Sequence, residues 1–112
     1  MTIYADNAAT TRMSQTAIRA MLPYMDQIYG NPSSLHSVGQ AAMEALTDAR
    51  TRVAAAIGAA GAREITFTSG GSEADNQAIR SVALWGKRKG KTHIVSTAFE
   101  HHAVLHTLKK LE

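Results

Sequence analysis

The stretch Ser69-Gly70-Gly71-Ser72 follows the β-branched and aromatic run Ile65-Thr66-Phe67-Thr68 and precedes an apolar periodicity that begins at Ala74. A glycine-rich turn between a strand and a helix presents unpaired backbone N–H donors and the positive end of the helix dipole, which together can bind a phosphate dianion. Gly70 and Gly71 let the backbone approach closely, and the Ser72 hydroxyl adds one more hydrogen bond. The pattern is neither G-x-G-x-x-G nor the P-loop G-x-x-x-x-G-K-[ST], so those two nucleotide-binding readings fail. On these residues alone, a plain turn followed by an N-cap accounts for the motif equally well.

A second group, Glu100-His101-His102, follows the apolar run His93-Ile94-Val95-Ser96-Thr97. That places it at the C-terminal end of an expected strand, where open α/β sheets bind ligands. Imidazole titrates near neutral pH and can give or take a proton, although a surface histidine is the plainer reading of any one of these positions. His102 and His106 are four residues apart and share one helical face. No local carboxylate or third histidine completes a set of the H-E-x-x-H kind, so no metal site is expected.

The elements that must position these groups follow from periodicity. Residues 14–30 read as an amphipathic helix with Ser14 as N-cap and Ile18, Met21, Leu22, Met25 and Ile28 on one face, and Pro23 predicts a kink or a split into two shorter helices. Gly30-Asn31-Pro32-Ser33-Ser34 has the chemistry of an ordered turn. A second helix is expected over residues 37–57, stopped by Gly58, and a third from Ala74 to the neighbourhood of Gly86 or Gly90. Residues 64–68 and 93–97 read as strands. The last helix, from His102, reaches Glu112 with no glycine or proline to end it. This order predicts an α/β fold with a parallel sheet. Two strands are too few to cover both faces and both edges, so the sheet is expected to be incomplete.

The sequence has 112 residues, 45% of them hydrophobic, enough for one small domain. No apolar stretch approaches the roughly 20 residues of a membrane span, and the first residues lack the pattern of a secretory signal, so the expected location is cytoplasmic. Cysteine is absent, which excludes a disulfide, a thiolate metal site and a cysteine nucleophile within these residues. Part of the net charge of +3 sits in Lys87-Arg88-Lys89-Gly90-Lys91. With no aromatic residues interleaved, that run reads as a solvated loop rather than a nucleic-acid surface.

Four segments then occur together: Tyr4-Ala5-Asp6-Asn7-Ala8-Ala9-Thr10-Thr11; Gly30-Asn31-Pro32-Ser33-Ser34 with His36; Phe67-Thr68-Ser69-Gly70-Gly71-Ser72-Glu73-Ala74-Asp75-Asn76; and Glu100-His101-His102-Ala103-Val104-Leu105. In this order and spacing the chain resembles the N-terminal portion of the NifS-like cysteine desulfurases, class V aminotransferases that use pyridoxal 5'-phosphate (PLP). The resemblance implies the PLP-dependent transferase fold (aminotransferase fold type I). Residues 1–112 would supply the N-terminal arm, helices and first strands of its large domain, with the rest of that domain and the C-terminal small domain absent.

The resemblance also implies site roles. Gly71 and Ser72 would bind the PLP phosphate, and His101 would stack on the pyridine ring and assist proton transfers. Asn7 and Ala8 would lie near the substrate, and the loop from Asn31 to His36 near the dimer-related active site. A complete enzyme would convert L-cysteine to L-alanine, work as a homodimer, and pass sulfur through an enzyme persulfide to an acceptor such as an iron–sulfur scaffold. The lysine that anchors PLP and the cysteine nucleophile have no counterpart here, so these residues alone are expected to be inactive. Selenocysteine lyase, and a non-catalytic PLP- or phosphate-binding or assembly module, are the alternative readings.

Overall fold

The computed structural model describes residues 2–112, which form two units: a first ending at Ile65 and a second running Thr66–Glu112. In the first, helix α1 (Gln15–Asp26) begins where the cap chemistry places it, with the Ser14 side chain accepting the Ala17 N–H at 3.1 Å. Pro23 neither splits the helix nor ends it at once. It lies three residues before the helix end, and its own carbonyl accepts from both Gln27 N–H (2.9 Å) and Ile28 N–H (2.8 Å), closing the last turn. The helix therefore ends at Asp26, short of the expected Gly30.

Helix α2 (Ser37–Ile57) has the predicted bounds. His36 caps it through Nδ1, which accepts the Gly39 N–H at 3.3 Å. Gly58, at φ 71°, ends it, and the Ala59 N–H reaches back to the Ala54 carbonyl at 2.9 Å. The loop before α2 is ordered as its composition predicts. Asn31 Oδ1 accepts the Ser33 N–H at 2.9 Å, and buried Gly39 lies so close to the loop that a Cβ there would overlap the Ser34 carbonyl oxygen.

A 3-10 turn, Ala62–Glu64, follows, and the Glu64 carboxylate folds back onto the Ala60 N–H at 2.9 Å. Glu64 therefore does not open a strand as its sequence suggests. No strand occurs among the described residues. Residues 65–68 and 91–97 form neither helix nor strand. A strand is a property of a pair, and β-propensity alone does not supply its neighbour. The expected sheet is thus not formed by these residues.

The second unit consists of α3 (Gly71–Arg88) packed against α4 (His102–Lys109). Of the two stops proposed for α3, Gly90 is the one used. It takes φ 72°, its N–H reaches the Lys87 carbonyl at 3.1 Å, and the Lys91 N–H reaches the Gly86 carbonyl at 2.9 Å, the paired bonds of a Schellman motif. Helix α4 ends at Lys109 and does not continue to Glu112; Leu111 N–H bonds the Leu108 carbonyl at 2.8 Å. Burial is sparse. Ala54 is the one buried hydrophobic residue among those described, and Thr107, at 2% exposure, is the largest fully buried side chain. No described helix is long and apolar enough to cross a membrane.

Candidate cofactor site

The turn at Ser69-Gly70-Gly71-Ser72 leads directly into α3. Gly70 occupies the N-cap position and no side chain caps the helix there, so the first-turn N–H groups of an 18-residue helix are left facing outward. An ideal Cβ on Gly70 or Gly71 would meet nothing within 4 Å, and Ser72 is exposed beside them. An anion can therefore reach the backbone directly.

The carboxylate that might have filled this space is turned away from it. Glu73 reaches back past the turn and accepts from Ser69 N–H at 2.6 Å and from the Ser69 hydroxyl at 2.7 Å. The hydroxyl bond first, and the N–H bond second, hold its pKa below the usual carboxylate range. Thr68 Oγ1 adds a bond to the Gly70 carbonyl at 3.1 Å. The loop is thus fixed by local bonds that leave the helix terminus uncovered.

His101 is the N-cap of α4, an arrangement its motif did not suggest. Its Nδ1 accepts the Ala103 N–H at 3.1 Å. This bond requires a lone pair on Nδ1 and so assigns the neutral ring's proton to Nε2, leaving an exposed ring with one free N–H. His101 and His102 lie edge to face with ring centres 6.1 Å apart, and His102 and His106 likewise at 5.4 Å. No set of three histidine or carboxylate groups suited to a metal ion occurs among the described residues.

Asn76 links the two halves of this unit. Its Nδ2 donates to the Ser72 carbonyl at 2.8 Å and to the Ala103 carbonyl at 3.4 Å. Gly71, Ser72 and His101 thus belong to one bonded unit. Asn7 and Ala8 belong to the first unit, on an exposed turn where Asn7's carbonyl accepts from Thr11 Oγ1 at 3.2 Å, next to the Tyr4 hydroxyl bonded to Asp6 and Thr10.

The sequence reading missed Glu73 and Asn76 as members of the site. Glu73 was detectable, since a Glu at the third helical position commonly folds back on the helix start. Asn76 stands four residues after Ser72, a local signal for the first of its two bonds. Its second partner depends on tertiary packing.

The family model for aminotransferase class V matches residues 3–112. The chain belongs to that family. IscS 1 of Bacillus subtilis (strain 168) is 51% identical over 98% of this chain, and the cysteine desulfurase IscS of Methanosarcina thermophila is 48% identical over the same share. The solved structure of a NifS-like protein superposes with a TM-score of 0.85 over 99% of the chain at 36% identity. This class V chain therefore has the backbone of the corresponding part of a NifS-like protein. It spans 28% of the Bacillus protein, 27% of the Methanosarcina protein and 30% of the NifS-like chain.

Proposed function

We propose that these residues are the N-terminal part of a PLP-dependent cysteine desulfurase and contribute half of its cofactor site. The observation that carries this reading is the uncapped, sterically open N-terminus of α3, bonded through Asn76 to the turn that bears His101. Such a terminus fits a phosphate monoester, and an exposed flat imidazole fits the face of an aromatic ring. The names of the relatives supply the reaction class.

In this reading the N–H groups of Gly71 and Ser72, with the Ser72 hydroxyl, hold the phosphate. Glu73 keeps the turn in shape without entering it. His101, steadied at Nδ1 by the Ala103 N–H, lies against the ring and carries a transferable proton at Nε2. Bound there, PLP supplies an electron sink for the substrate's α-carbon. Asn7 and Ala8 lie near the substrate in the complete enzyme.

The overall change is L-cysteine plus an enzyme thiol giving L-alanine plus an enzyme persulfide. One S–S bond forms, the substrate Cβ–S bond breaks, and the thiol proton ends on alanine. The 112 residues contain no cysteine, so the thiol comes from elsewhere in the complete protein, and the segment alone is inactive. A homodimer in the cytoplasm, handing sulfur to an iron–sulfur scaffold, completes the proposal.

The test is alanine formation from L-cysteine by the full-length protein, with persulfide sulfur measured in parallel. Equal amounts of both, dependent on added PLP, are expected. Absence of alanine, or alanine without persulfide, overturns the reading.

A further inference from the structure

We propose that Asn76 is a positioning residue, holding the phosphate-binding turn and the His101 ring in a fixed relation. The inference rests on the cofactor reading above. Its basis is a continuous set of bonds within the second unit. Asn76 Nδ2 donates to the Ser72 carbonyl (2.8 Å) at one end and to the Ala103 carbonyl (3.4 Å) at the other. The buried Thr107 hydroxyl donates to the same Ala103 carbonyl at 2.7 Å. The Ala103 N–H donates to His101 Nδ1 at 3.1 Å. Ala103 is thus held on both its carbonyl and its amide, and what holds it also touches Ser72.

The chemistry at position 76 is specific. Both partners are carbonyl oxygens, so the side chain must present donors, and the two hydrogens of an amide nitrogen supply one to each. That requirement also fixes which end of the amide is nitrogen. Aspartate has the same shape but would turn an anionic oxygen toward two carbonyl oxygens. The amide is not the only link between α3 and α4, because the two helices are also in direct contact with each other. The amide sets the register of two backbone atoms, one in the turn that binds phosphate and one in the residue that orients the imidazole.

The test uses the full-length protein with Asn76→Ala, Asn76→Asp, His101→Ala and the double variant Asn76→Ala/His101→Ala. Two readouts are taken. Nitrogen-15 NMR of labelled histidine, without PLP, reports the His101 tautomer, and titration with PLP gives Kd. In the wild type His101 carries its proton at Nε2. Asn76→Ala mixes the tautomers and raises the Kd for PLP about tenfold, the scale of one lost hydrogen bond. Asn76→Asp is worse than Asn76→Ala despite its isosteric shape. In the His101→Ala background, Asn76→Ala adds less than about twofold, because residues acting through one another are non-additive. If Asn76→Ala does not fold, Asn76→Gln, which displaces the same amide by one methylene, is read for the same tautomer change. An unaltered His101 tautomer, or fully additive effects on Kd, overturns the proposal. If PLP binds none of the proteins, the cofactor reading fails, and the tautomer measurement alone decides the role of Asn76.

Discussion

At the scale of single residues, the site depends on where one carboxylate points. Glu73 has its pKa lowered by the Ser69 hydroxyl and N–H, so its ionised form favours the ordered turn. A depressed folded pKa means that this contribution is fully present above the ordinary glutamate value, about 4.3, and is lost as pH falls through the lower folded value. Amide hydrogen exchange at Ser69, taken relative to its intrinsic rate at each pH, should therefore speed up below about pH 4 in the wild type. In Glu73→Gln it should already be faster at neutral pH, with no comparable step on acidification. Ser72→Ala removes one donor from the phosphate and should weaken PLP binding about three- to tenfold, read by titration of the full-length protein. Gly71, Ser72 and His101 stood out by residue type and by lying between an expected strand and a helix, but their roles came only from the family resemblance, and no strand forms before either group. The cap made by His101 and the second bond of Asn76 were not legible. The second bond of Asn76 spans 27 residues and depends on where α4 packs, whereas the His101 cap spans two residues and is a local feature that its motif did not suggest.

At the scale of elements, helix ends were easier to read than strands. Ser14, Gly58 and Gly90 act through bonds to residues within five positions of themselves, so their effects follow from sequence alone. Gly58→Ala and Gly90→Ala each place a Cβ at positive φ and should each cost about 1 kcal/mol in chemical denaturation. Gly39→Ala is a different case. Its φ is ordinary, but its Cβ would overlap the Ser34 carbonyl, so the loop before α2 must move. A loss of about 1–3 kcal/mol is expected, together with faster proteolysis near Ser34. The two runs read as strands have the composition of strands and form none among the described residues. Composition reports what a segment can do, whereas a ladder needs a second segment whose position it does not specify. Pro23 shows a similar limit, since the helix continues through it to Asp26 rather than splitting there.

At the scale of the molecule, a chain that spans 28% of a relative's length leaves much apolar surface uncovered. Phe99 is 89% exposed, Val95 86% and Trp85 58%, and the last two border an open groove of about 850 Å³ also lined by Ile79, Val82, Ile94 and Leu108. Surface of this kind normally marks contact with further polypeptide. The 112 residues produced alone should bind an apolar dye and elute at a size that grows with concentration. Their Trp85 emission should be that of a wetted indole and move to shorter wavelength in the full-length protein. Monomeric behaviour without dye binding would contradict this. The hook from Glu73 to Ser69 has a further consequence for manufacture of the protein in the cell. The bonds that shape this turn from within join residues no more than four positions apart. At synthesis rates of about 5–20 residues per second, all of those partners are translated well before His101, so the local shape of the turn can form before α4 exists.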